Sequence, residues 1–165
     1  MIQLNKLRIE IGDLFQSNAD AYAHCVGRDY RMGAGIAVQF RKIYGGQAEL
    51  RAQNIPVGGV AFLERLDQPT KVYYMVTKEL SARSVPTRKD FVSSLQRLKV
   101  LCEQHGVKQL AIPKIGCGLD KLPINFVLEQ IESTFSDSPV QITMYLLPDD
   151  QLVEHYDEYS RTVVL

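Results

Sequence analysis

RMGAGIAVQF, residues 31–40, sets Gly33 and Gly35 one residue apart, directly ahead of an apolar-periodic run. Glycine at a helix start costs conformational entropy, and Ser, Thr or Asp would cap the helix better. Bare backbone has its own use there, because uncapped N–H groups at a helix N-terminus can grip a phosphate. The helix expected over 34–44 places Ile36, Phe40 and Ile43 on one stripe and stops at Gly45-Gly46. A second loop of this kind, IGCGLD at 115–120, follows the apolar strand KQLAIP (108–113) and leads into a helix near Pro123. In an open α/β sheet such loops gather beyond the carboxyl ends of the strands. Two of them facing one crevice can hold the two phosphates of a pyrophosphate.

Outward from these loops the chain alternates strands and helices. LRIEIG (7–12) alternates apolar and charged residues and reads as a strand, whereas DAYAHCV (20–26) is more continuously apolar, as expected of a strand covered on both faces. VAFLERL (60–66) and KVYYMVT (71–77) flank the polar turn Asp67-Gln68-Pro69-Thr70 and predict an antiparallel hairpin. Thr87 and Asp90 resemble a capping box ahead of a helix with Phe91, Leu95, Leu98 and Cys102 on one face, closed by Gly106. The helix near Pro123 carries Ile124, Val127, Leu128, Ile131 and Phe135, and VQITMYLL (140–147) is expected to close the sheet. This pattern predicts an α/β fold, a three-layer α/β/α sandwich with a mixed, mostly parallel sheet. A single domain over 1–147 is expected, followed by a more polar C-terminal extension, 148–165, read as a short helix or loose tail.

Composition narrows the function. At 165 residues, 45% hydrophobic and 23% charged, the chain is long enough for a buried core and unlike a disordered one. Lys plus Arg and Asp plus Glu number 19 each, so nothing in the net charge supports broad nucleic-acid binding. A negative ligand must then be gripped locally. Cys25, Cys102 and Cys117 are odd in number and form no C-x-x-C pair, which favours thiols in a reducing compartment, cytoplasmic or nuclear. MIQLNKLRIE lacks a signal-peptide pattern, and no apolar run approaches the roughly 20 residues of a membrane helix, so no membrane contact is expected. G-x-x-x-x-G-K-[ST] and G-x-G-x-x-G are both missing, which excludes Walker-type NTPases and ordinary dinucleotide dehydrogenases. No His/Cys spacing suits zinc, and neither a metal nor a cofactor is expected.

Individual residues have plain structural readings beside chemical ones. Lys78 closes the apolar run YYMVT at the end expected to face the crevice. Such a lysine is ordinarily a solvated strand terminus, but an amine whose charge is disfavoured by burial becomes a nucleophile. Asp120 reads as a cap for the following helix, Asp13 as a turn residue, Tyr145 as a core or rim aromatic, and His24 as a satisfied core histidine. Cys25 and Cys117 read as small apolar fillers.

GDLF (12–15), AHCV (23–26), RMGAGIAVQF, YYMVTK (73–78) and IPKIGCGLDKL (112–122), in that order, resemble the macrodomain family. Within it they resemble the branch of terminal ADP-ribose protein glycohydrolases, also described as O-acetyl-ADP-ribose deacetylases. The similarity extends over residues 8–147. It implies the three-layer sandwich, with ADP-ribose or an ADP-ribosylated protein as partner; a monomer without direct nucleic-acid contact is expected. It implies that Lys78 attacks the anomeric carbon of the distal ribose, while Asp120 accepts a proton and helps resolve the adduct. Ligand contacts are implied for Asp13 and Leu14, for Met32, Gly33, Ala34, Gly35 and Ile36, and for Ile115, Gly116, Cys117, Gly118 and Leu119. Tyr145 matches an aromatic that stacks on adenine. The implied activity is removal of mono-ADP-ribose from acidic side chains, or deacylation of O-acyl-ADP-ribose. The alternatives are a non-catalytic ADP-ribose reader and a hydrolase acting on ADP-ribosylated nucleobases; Lys78 with Asp120 favours an enzyme. The chain departs from the branch at Gly27, where related proteins often carry a serine near the distal ribose, which bears on rate or leaving group rather than binding.

Overall fold

The computed structural model describes residues 2–68, 70–81, 84–115 and 122–148. Its strands are β1 (Ile2–Gln3), β2 (Leu7–Ile11), β3 (Ala21–Gly27), β4 (Val60–Leu63), β5 (Lys71–Lys78), β6 (Gln109–Ile112) and β7 (Gln141–Leu146). They form one sheet in the order β1-β2-β7-β6-β3-β5-β4. The five strands β2, β7, β6, β3 and β5 pair in parallel, and β1 and β4 add antiparallel edges. The helices are α1 (Ile36–Tyr44), α2 (Gln47–Ala52), α3 (Arg88–Gln104) and α4 (Ile124–Phe135). This is the expected sandwich.

Strand alternation explains the two cores. On β5, Tyr73 and Met75 join a cluster with Phe91, Leu95, Leu98 and Cys102 of α3 and Val127, Ile131 and Phe135 of α4. Val72, Tyr74 and Val76 point the other way, into a cluster with Phe40 and Tyr44 of α1 and Leu50 of α2. A central strand feeding both clusters must be apolar at nearly every position. Each fully buried large side chain contributes about 1.5–3 kcal/mol. On α3 the predicted face and cap both form: the Asp90 N–H donates to Thr87 Oγ1 at 3.0 Å. Gly106 follows with a left-handed φ of 69°.

Several details differ from expectation. Ile43 is 47% exposed, and Tyr44 is buried with Phe40 instead, their rings 6.2 Å apart. The row that faces the sheet is therefore the i, i+4 row rather than the i, i+3 row. The hairpin pairs Val60 with Met75 and Leu63 with Val72, so β4 stops at Leu63. Leu66 is fully exposed, and Arg65 turns back to pair with Glu49 at 2.9 Å and donates to the Tyr44 carbonyl at 3.0 Å. β7 lies inside the sheet between β2 and β6 rather than at its edge. Pro123 is the residue just before α4, with ψ of 133°. Pro69, Cys117 and the extension from residue 149 onward lie outside the described residues.

His24 is buried, as expected, but it is not hydrogen-bonded. Neither ring nitrogen has a partner. The imidazole instead stacks on Phe40 at 4.0 Å and meets Tyr74 edge-on at 4.8 Å. Burial lowers its pKa from 6.5 to about 3. The unfolded chain therefore takes up this proton below about pH 6.5, while the folded chain resists until far lower pH. The stability this represents is complete above pH 6.5 and is lost as pH falls toward 3. In urea unfolding, the wild type should lose about 2 kcal/mol more than His24→Leu between pH 7 and pH 5. Parallel pH profiles would show that His24 is not the source.

Candidate active site

Parallel pairing brings the carboxyl ends of β2, β7, β6, β3 and β5 to one edge of the sheet. Asp13 and Leu14 follow β2, Tyr145 is the penultimate residue of β7, and Ile115 lies just past β6. Met32, Gly33, Ala34, Gly35 and Ile36 lie on the connection from β3 into α1, and Lys78 is the last residue of β5. The edge thus gathers residues from five separate segments. Gly116, Cys117, Gly118, Leu119 and Asp120 lie outside the described residues.

The connection after β3 is held from several sides. The Arg28 N–H donates to the Lys78 carbonyl at 2.8 Å, and the Tyr30 N–H to the Gly27 carbonyl at 2.9 Å. From α2, Gln47 Nε2 donates to the Tyr30 carbonyl at 2.8 Å, and Arg51 donates twice to the Asp29 carbonyl, at 3.2 and 2.9 Å. Tyr30 and Met32 adopt left-handed backbone, φ 50° and 48°, while their side chains are buried in the α1-side core. Bulky residues seldom accept this conformation, and it persists only where the surroundings impose it. The result is an exposed turn, Gly33-Ala34-Gly35, delivered at a fixed place.

Gly35 precedes α1 with φ 62° and ψ −150°, makes no side-chain cap, and is followed by no acid in the first turn. The leading N–H groups of α1 and the positive end of its dipole therefore meet this edge without a carboxylate of the helix's own first turn to neutralise them. An anion is the group that fits there. Arg41 and Lys42 stand in the last turn, at the opposite end.

Other residues divide by exposure. Leu14, Met32 and Ile115 bury their side chains in the cores, so they offer a ligand backbone groups. Asp13 Oδ1 accepts from the Phe15 N–H at 2.9 Å, capping the short 3-10 turn Leu14–Gln16. Its turn role is realised, and the rest of the carboxylate is exposed. The Tyr145 ring is half-buried beside Gly12, and burial followed by the Glu10 carboxylate raises its phenol pKa. Lys78 is half-buried. Just before it the β3–β5 register shifts, with Val26 opposite Val76 but Gly27 opposite Lys78, so Thr77 is the extra residue of a β-bulge. Bulges of this kind re-aim the side chain that follows. Among the described residues, no three of His, Cys, Asp and Glu gather closely enough for a metal ion.

Sequence reading missed Asp29, Gln47, Arg51, Thr77 and Ser81, which fix the edge through hydrogen bonds or the bulge. A lone Asp in GRDYR carries no spacing signal, and Ser81 lies 52 positions away from it. The Gly35 geometry is testable directly. Its φ and ψ lie in a region almost reserved for glycine, so Gly35→Ala should cost about 1–3 kcal/mol by chemical unfolding. A Cβ on Gly33 meets only ordinary contacts with Arg31, the nearest at 3.5 Å, and Gly33→Ala should cost clearly less. Equal costs would refute the distinction.

Known proteins fit this arrangement. Residues 23–131 match the Macro domain family. Over 137 residues the chain is 42% identical to the ADP-ribose glycohydrolase OARD1 of Homo sapiens, spanning 82% of this chain and 88% of that protein. The OARD1 of Bos taurus matches to the same extent. Among solved structures, the macrodomain of Thermus aquaticus DarG aligns with TM-score 0.76 at 22% identity, covering 84% of this chain and 97% of that one. Thermosipho africanus DarTG, in complex with ADP-ribose, aligns with TM-score 0.78 at 19% identity, covering 90% of this chain and 44% of that one. At these identities the structures establish the shared fold, and the family match and the OARD1 relatives establish descent. The chain belongs to the macro domain family.

Proposed function

We propose that the chain is an ADP-ribosyl hydrolase that removes mono-ADP-ribose from acidic side chains or deacylates O-acyl-ADP-ribose, with Lys78 as nucleophile and Asp120 as its proton-handling partner. The observation that carries this reading is the half-buried Lys78 at the end of β5, one backbone hydrogen bond from the loop that leads to the uncapped start of α1. The two OARD1 relatives named ADP-ribose glycohydrolase support it, as does the ADP-ribose complex of a protein with the same fold. A reader domain would need the anion site but not the lysine.

On this reading the pyrophosphate rests on the start of α1 and on the second glycine loop. Adenine stacks on Tyr145 with Asp13 nearby, and the distal ribose reaches Lys78. The neutral Lys78 amine attacks the anomeric carbon, and the carboxylate of the modified side chain leaves with the electron pair of the broken C–O bond. Asp120 takes the proton shed by the new C–N bond, then directs a water whose attack restores the amine and releases ADP-ribose.

Product analysis with a glutamate-linked mono-ADP-ribosylated peptide tests the reading. Lys78→Ala should bind ADP-ribose without turnover, and Lys78→Arg should fail as well, because a guanidinium stays protonated. Asp120→Ala should accumulate a lysine adduct, located by intact mass and peptide mapping. Full turnover by Lys78→Ala would remove the nucleophile and leave a reader or a water-only hydrolysis. In calorimetry, Gly35→Glu should abolish ADP-ribose binding through bulk and charge. Tyr145→Ala should weaken it by about 1–3 kcal/mol. Unchanged affinity in the folded variants would remove those two assignments.

A further inference from the structure

Gly27, the residue opposite Lys78, is surrounded more tightly than any turn requires. A Cβ built there would lie 2.6 Å from both the amide nitrogen and the Oγ of Ser81, and 2.8 Å from Asp29 Oδ1. No side chain fits in that space. What fills it is a paired contact between the two segments leaving the sheet side by side. The Ser81 N–H donates to Asp29 Oδ2 at 3.1 Å and the Ser81 hydroxyl to Asp29 Oδ1 at 2.5 Å, so one carboxylate takes both donors. Partial burial works against the charged form of Asp29, yet these bonds and the Arg31 amide hold its pKa below the usual carboxylate value. A charge-assisted, two-point link is stronger and better oriented than a single neutral bond.

The position of this link gives it a consequence. Ser81 follows Lys78 by three residues, and Asp29 opens the loop that ends in Gly33-Ala34-Gly35. The same two segments are joined through backbone by the Arg28 N–H on the Lys78 carbonyl. Another side-chain link between them, Arg28 with Glu79 at 3.7 Å, is solvent-exposed and contributes little. The Thr77 bulge interrupts the β3–β5 register just before Lys78 pairs with Gly27, so a link between the two segments beyond this point bears on where the strand end sits. We propose that Asp29 and Ser81 form a positioning clamp for Lys78, holding the strand end that carries its amine against the loop leading to the anion site, with Gly27 leaving the space in which the clamp closes. The catalytic consequence rests on Lys78 being the nucleophile of the proposed hydrolase.

Reacting groups held loosely lose rate far faster than affinity. Ser81→Ala and Asp29→Asn should therefore each lower kcat on the glutamate-linked peptide about ten- to a hundredfold. KM and the calorimetric affinity for ADP-ribose should stay within about twofold, because the clamp acts on the position of the amine and not on uniform binding. Gly27→Ala should reproduce the loss by forcing the clamp open. Ser81→Thr, which keeps the hydroxyl, should recover most of the rate, and the Asp29→Asn/Ser81→Ala pair should be no slower than the slower single variant. Additive losses, a failure of Ser81→Thr to recover rate, or a fall in ADP-ribose affinity matching the fall in kcat would overturn the proposal. If the wild type does not turn over the peptide, the hydrolase reading fails separately. The clamp is then decided by hydrogen exchange of the Arg28 amide, expected about tenfold faster in Ser81→Ala if the segments loosen, with unchanged exchange refuting it.

Discussion

Parallel pairing cannot be made with a tight turn, because each new strand must begin where its neighbour began. The chain therefore crosses back over the sheet between parallel strands, through α1, α2 and the antiparallel β4 after β3, α3 after β5 and α4 after β6. Both consequences of this constraint run through the molecule. The crossovers cover the two faces, so β3 and β5 must be apolar on both sides. The loops that leave the strands also gather at one edge, which is where the candidate residues lie. The cores and the site are two results of one topology.

At that edge the molecule sets stability against shape. Left-handed backbone at Tyr30 and Met32 costs on the order of 1–3 kcal/mol each. Burying the same two side chains contributes about 1.5–3 kcal/mol each, so packing can offset the strain where it arises. The aromatic layer beneath α1 makes this feasible. His24 stacks on Phe40 and meets Tyr74 edge-on, and the imidazole stays neutral between them. A smaller or wetter layer would leave the loop without a firm base.

Periodic elements were legible in the sequence, and contacts between distant segments were not. α3 and α4 announce themselves because burial repeats at the helix period, and β3 because it is apolar at nearly every position. α2 and β1 have too few residues to carry a period. Leu66 looked like strand and is exposed, because the chain leaves the ladder once Leu63 has paired with Val72. The interior place of β7 follows from crossover geometry, which local pattern does not encode. At the candidate site, the first glycine turn and Lys78 could be read from their places at element ends. Gly27 was visible as a departure from related chains, but its cause was not: the reason lies in Asp29 and Ser81, which meet only after folding.

The glycines ahead of α1 can now be understood against the charge of the whole chain. With 19 cations and 19 anions there is no strong net field to draw in a pyrophosphate. The cations of α1 itself, Arg41 and Lys42, stand in its last turn, most of the length of a nine-residue helix from its start. They complement the dipole at that end rather than the ligand. An acidic cap at residue 35 would have stabilised the helix by occupying the leading N–H groups, and would have repelled an anion from the same place. Glycine leaves those groups open, while the buried Tyr30 and Met32 and the bonds from Gln47 and Arg51 fix where they point. On the proposed reading, recognition then rests on the fit of two phosphates to a rigid backbone rather than on opposite charge. Such a site selects by shape, and its precision depends on everything that keeps the β3–α1 loop from moving.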